Sequence, residues 1–151
     1  NIDNINKNKT YISLHIRRGD VTKNNKRRYT NDDTYLNLIR NIIKTENLNN
    51  YEIHLFSEKR FNGDLNVFTK LNNIVFHLEN EFGGVTSNLN NVFNDIGFMI
   101  NSDYLICSKS GFSYTPALLN KNGKIYHNNK FWNSPLKHFI IYDDDNGNII
   151  Q

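Results

Sequence analysis

The sequence predicts a doubly wound α/β domain, a mostly parallel sheet with helices on both faces. Two observations carry this. Short apolar runs rich in β-branched and aromatic residues alternate with segments whose apolar residues recur at helical spacing. Two unusual polar turns follow the first and fourth of these runs. If the sheet order is 3-2-1-4-5, those turns meet at the switch point, where such folds hold their ligands. A chain of 151 residues makes one domain and cannot hold two large lobes.

Residues 1–9 are polar and read as a frayed start. Tyr11, Ile12, Leu14 and Ile16 make the first strand, which runs into Arg17-Arg18-Gly19-Asp20. His15 and Arg17 share one strand face, opposite Leu14 and Ile16. A basic loop, 21–29, follows. Thr30 then stands three before Asp33, a capping-box pattern opening a helix on Tyr35, Leu36, Leu38, Ile39, Ile42 and Ile43. Tyr51–Phe56 is the second strand. Phe61, Leu65, Phe68 and Leu71 are spaced as a helix face, and Ile74–Leu78 is the third strand.

The stretch 79–86 holds Gly83-Gly84 and reads as a loop. Ser87 or Asn88 caps a helix carrying Leu89, Val92, Phe93, Ile96, Met99 and Ile100. Asp103 leads into the fourth strand, Tyr104–Cys107. The turn Ser108–Ser113 precedes a short helix, 114–119, in which Pro116 falls in the first turn if Ser113 is the cap. Ile125-Tyr126 is a fifth strand. Phe139–Tyr142 is a sixth or an extended tail, and Asp143–Asp145 with Gly147 reads as a solvated turn.

Composition bounds the function. The chain carries 18 Lys and Arg against 15 Asp and Glu, a net charge of +3. This lacks the basic face of a nucleic-acid binder, and the aromatics fall in apolar contexts. The densest cationic cluster, Lys23, Lys26, Arg27 and Arg28, is either part of a phosphate-attracting field or a solvated loop. The abundant Asn lies between the apolar periodicities. One cysteine, Cys107, excludes an intrachain disulfide and a cysteine-rich zinc site. No apolar run approaches about 18 residues and no signal peptide is visible, so the domain reads as soluble without membrane contact of its own. The first residue is Asn1, so a fragment of a longer parent is expected. That parent is compatible with the cytoplasm or a secretory-pathway lumen.

The chemistry lies in the two turns. A strand ending in His15, Arg17, Arg18 and Asp20 suits an anion, because the guanidinium fork matches phosphate. The bland alternative is a surface turn with Arg17 paired to Asp20. Ser108, Ser110 and Ser113 bring hydroxyls, Gly111 permits close backbone approach, and the next helix offers free amides. Together they fit a diphosphate, whereas Gly-x-Gly-x-x-Gly and Walker patterns are absent. Asp95, inside the helix before strand four, is either a solvated position or a carboxylate that accepts from the guanine N1–H and amine.

The stretch HIRRGDV with its following helix YTNDDTYLNLI, together with FSE at 56–58 and DIGFMINSDYLICSKSGFSYTPALLN, resembles motifs of the α1,2-, α1,6- and protein O-fucosyltransferases. These motifs span residues 11–120. The resemblance implies the Rossmann-like C-terminal lobe of a two-lobed GT-B enzyme that holds GDP-fucose, inverts configuration and needs no metal or other cofactor. By that resemblance Arg17 and His15 are the catalytic pair, with Arg17 on the β-phosphate and Arg18 supporting the turn. The donor-binding set is Arg17, Arg18, Asp20, Asp95 and Ser110, Gly111, Phe112 and Ser113, with Asp95 reading guanine. The implied partners are the GDP-sugar, a glycan or protein acceptor, and an acceptor lobe elsewhere in the parent. A non-catalytic GDP-sugar-binding module is the alternative. Two departures stand out: the loop VTKNNKRRY holds no carboxylate where the α1,6 enzymes carry a proposed base, and Tyr114 and Thr115 replace the family's tryptophans.

Overall fold

The structure, a computed structural model, describes residues 8–58, 65–78 and 89–150. The elements in chain order are β1 (Thr10–His15), α1 (Asp32–Thr45), β2 (Tyr51–Phe56), a 3-10 turn (Leu65–Lys70), β3 (Ile74–His77) and α2 (Leu89–Ile100). There follow β4 (Tyr104–Ile106), α3 (Gly111–Leu119), β5 (Lys124–Asn128) and β6 (Ile140–Tyr142). The described strands form one parallel sheet in the order β3-β2-β1-β4-β5-β6. The architecture is therefore α/β and Rossmann-like, and β1 lies beside β4, the condition under which the two turns meet.

Each face of the sheet buries its own core, as parallel strands covered by crossover helices require. Ile12, Leu14 and Ile16 pack with Leu38, Ile39 and Ile42 of α1 and with Phe68, Ile106, Tyr126 and Tyr142. On the other face Phe56, Met99, Leu105, Cys107, Ala117, Ile125 and Phe139 pack together. The alternation along β4 is clean, Ile106 facing one core and Leu105 and Cys107 the other. Cys107 is fully buried, and burial pushes its thiol up to about 12, so it serves as packing.

Of the two alternatives for the sixth segment the strand holds, parallel to β5 and reached by a crossover over 129–139 that contains no helix. Other expectations are corrected. Between β2 and β3 the described residues make a six-residue 3-10 turn and no α-helix. Phe68 and Leu71 are buried as the spacing predicts. Phe61, the Gly83-Gly84 loop and the caps expected at Ser87 or Asn88 lie outside the described residues.

Both predicted caps shift. Asn31, and not Thr30, is the N-cap of α1, and it makes no side-chain cap bond. The Thr30 hydroxyl donates instead to Asp144. The N-cap of α3 is Ser110, and not Ser113, so Pro116 falls inside the helix. Lys9, expected to be frayed, pairs with Glu52 at 2.9 Å. The 143–145 turn is not wholly solvated: Asp144 is buried and bound by Lys109 at 2.8 Å. Among the described residues no helix is long and apolar enough to cross a membrane.

Candidate functional site

Because all six strands run parallel, their C-terminal ends form one edge, and the two polar turns leave it from adjacent strands. Four contacts tie that edge together. The β1 ladder continues as Ile16 N–H donates to Phe56 O at 2.9 Å, and Ser57 Oγ donates to Ile16 O at 2.7 Å. Across the other flank, His15 Nδ1 lies 2.8 Å from Ser108 Oγ, with the His15 ring 5.1 Å from that of Phe112. The structure thus brings His15 against Ser108 and Phe112, with Arg17 two residues further along the same edge.

Arg17 is the partly buried cation of the first turn, and it is already shared. Its Nη2 donates to Asp20 Oδ1 at 2.7 Å and its Nη1 lies 3.0 Å from Glu58 Oε1. The bland pairing of Arg17 with Asp20 is therefore real, and Glu58 joins it. Asp20 is 63% exposed in its side chain and Glu58 only 10%. Burial raises the Glu58 carboxyl above its ordinary value; Arg17 opposes this and Asp20 adds to it. Gly19 has φ +79, and a Cβ there would stand 1.7 Å from Glu58 Oε2. Glycine is required here both by the backbone and by the carboxylate lying against it.

Arg18 and His15 are both buried beneath the first turn. Arg18 is fully buried, donates to the carbonyls of Arg17 and Thr30, pairs with Asp32 and stacks over Tyr29 at 4.1 Å. It supports the turn. His15 is 1% exposed, and burial, aided by Arg17, pushes its imidazole down to about 3. This enclosed ring holds Ser108 by hydrogen bond and Phe112 by ring contact.

The second turn is built around α3. Ser110 Oγ accepts from Phe112 N–H at 3.2 Å, capping the helix. Ser113 is fully buried and spent internally: its Oγ accepts from Ser108 N–H and donates to Ser110 O, both at 3.2 Å. Gly111, the first helical residue, is exposed, and a Cβ there would meet nothing within 4 Å. The protein itself does not need glycine at that position. Asp95 is buried in α2, which packs against α3.

Three residues of the site carry no role in the sequence reading. Glu58 enters the sequence reading only as the end of the FSE motif; it follows β2 as Arg17 follows β1, and its pairing with Arg17 is legible only once the strands are known to be neighbours. Lys109 is buried within the serine turn and bound by Asp144, whose oxygens also take hydrogen bonds from Thr30 and Asn128. Burial alone would raise the Asp144 carboxyl, but Lys109, Thr30 and Asn128 together hold it below its ordinary value. Tyr142 completes the brace, donating from its hydroxyl to Cys107 O at 2.6 Å. A separate cleft of about 530 Å³ opens at the N-terminus of α1, between Lys23, Tyr29, Asp32, Asp33 and Asp145. Three carboxylates against one ammonium make it a poor phosphate site.

Compared with family models, with curated proteins and with solved structures, the chain finds no match in any of the three.

Proposed function

We propose that this chain is the donor lobe of an inverting, metal-independent glycosyltransferase of GT-B architecture that passes fucose from GDP-fucose to a glycan or protein hydroxyl. The observation that supports this best is the convergence of the two polar turns, joined across β1 and β4 by the 2.8 Å His15–Ser108 contact. In this reading Arg17 takes the β-phosphate, exchanging the exposed Asp20 for the ligand. Gly111 leaves room for a phosphate oxygen at the amino end of α3. Asp95 accepts from the guanine edge.

In the transfer step the acceptor oxygen bonds to the anomeric carbon as the bond from that carbon to the phosphate oxygen breaks. The electron pair leaves with GDP, where Arg17 offsets the growing charge. The acceptor proton goes to a base supplied by the rest of the parent chain. A non-catalytic GDP-sugar module is the second reading. It is favoured by the lack of any carboxylate between Val21 and Tyr29, and fucose transfer by the full-length parent decides between the two.

Nucleotide selectivity tests the donor assignment. By calorimetric titration GDP should bind more tightly than ADP or UDP, and Asp95→Asn should narrow the gap between GDP and ADP. Addition of a chelator should leave GDP affinity unchanged. Equal binding of the three nucleotides would remove the guanine assignment, and loss of GDP binding on chelation would remove the metal-independent one.

A further inference from the structure

The cationic loop after β1 carries an aromatic partner that its sequence does not reveal. The guanidinium of Arg27 lies 4.9 Å, and that of Arg28 5.6 Å, from the ring centre of Trp132 on the segment after β5. Trp132 remains 45% exposed. Neither arginine is ion-paired with a carboxylate among the described residues, while neighbouring Asp145 is taken by Lys130 at 2.7 Å. The two guanidinium groups lie over the ring and therefore present uncompensated positive charge around a half-exposed indole.

The platform is held in place. The loop closes on itself through Asn25, whose carbonyl accepts from Arg28 and Tyr29 N–H at 3.0 and 2.8 Å. Buried Lys109 of the serine turn donates to Lys26 O at 3.3 Å, linking the loop to the crevice. Behind Trp132, Phe131 packs at 4.6 Å between ring centres, backed in turn by Tyr114 and His127. Both segments leave the same C-terminal edge of the sheet as the two site turns.

We infer that Arg27, Arg28 and Trp132 form a docking platform for an anionic saccharide at the sheet edge that carries the two site turns. The two guanidinium groups suit a carboxylate or sulfate, and the open part of the indole suits the C–H face of a sugar ring. Charge alone would serve any polyanion. The indole, next to a proposed sugar-transfer site, is what favours a saccharide, so the inference rests on the donor reading above.

Trp132 is the only tryptophan in the chain and reports on its own site. A sulfated disaccharide and a digalacturonate should each change its fluorescence saturably, and the uncharged disaccharides should not. Arg27→Ala or Arg28→Ala should weaken both acidic sugars about five- to tenfold, and lysine should restore only part. These exposed variants should leave GDP affinity intact, and Arg17→Ala should leave saccharide affinity intact. Tripolyphosphate or a uridine oligonucleotide binding as tightly as the acidic sugars would overturn the inference, as would equal response to the neutral ones. GDP binding with no saccharide response defeats this inference alone. A saccharide response without GDP binding keeps the platform and defeats the donor reading.

Discussion

At the residue scale the account turns on Arg17, whose fork is held by two carboxylates. A diphosphate entering the crevice meets Asp20 and Glu58 as competitors as well as Arg17 as partner. Asp20 is exposed and can swing away, whereas Glu58 is enclosed against Gly19. Removing the Glu58 charge while keeping its shape should therefore strengthen GDP binding. Glu58→Gln is expected to raise GDP affinity about tenfold, since a nearby like charge costs on the order of a kcal/mol or more. A weaker GDP titration for this variant would mean that Glu58 instead holds Arg17 in its binding pose. The two glycines separate fold from binding in the same way. Gly19→Ala forces a side chain into positive φ and onto Glu58, so its midpoint in urea should fall steeply. Gly111→Ala meets no protein atom, and its stability should hold or rise by about 0.5–1 kcal/mol while GDP binding weakens.

At the scale of elements, the serine turn is braced from the far end of the chain. Lys109 is buried in that turn and Asp144 follows β6, so the 143–145 segment is part of the site's scaffold. Asp144→Asn leaves a buried ammonium without its counter-charge and should cost about 3–5 kcal/mol in a denaturant titration. A loss below about 1 kcal/mol would show that the pair is dispensable. The brace also explains what the sequence hid. Thr30 has the spacing of a cap, yet a hydroxyl makes its best bond where a buried carboxylate waits, and Asp144 lies more than a hundred residues away. Ser113 lost the cap to Ser110 because Ser113 fills a buried slot between Ser108 and Ser110. Capping patterns are local, and tertiary partners outbid them. By contrast β1, β2, β4 and α1 were legible, because long apolar periodicities fix which face each strand or helix buries. The three-residue β6 follows a crossover with no helical pattern to announce it.

At the scale of the whole molecule, alternating elements leave few right-handed solutions, and the order found places β1 beside β4, the condition under which the two turns meet. Enclosing the site has a consequence for acid stability. His15 and His77 are held neutral by burial, down to about 3 and about 4, against 6.5 when unfolded. Below that value the unfolded chain takes up protons that the folded chain refuses. Stability is thus fully present above pH 6.5 and drains as the pH falls toward 4 and then 3. His15 alone contributes roughly 1.4 kcal/mol per pH unit inside that window, and His15→Gln should flatten the slope of urea midpoint against pH. The central claim, that one crevice formed by both turns binds a diphosphate through Arg17, is tested most directly by titrating GDP and GMP into wild type and Arg17→Ala. The account predicts that wild type binds GDP well and GMP much more weakly. It also predicts that Arg17→Ala weakens GDP about ten- to a hundredfold while GMP changes little. An Arg17→Ala protein that binds GDP as wild type does would contradict it.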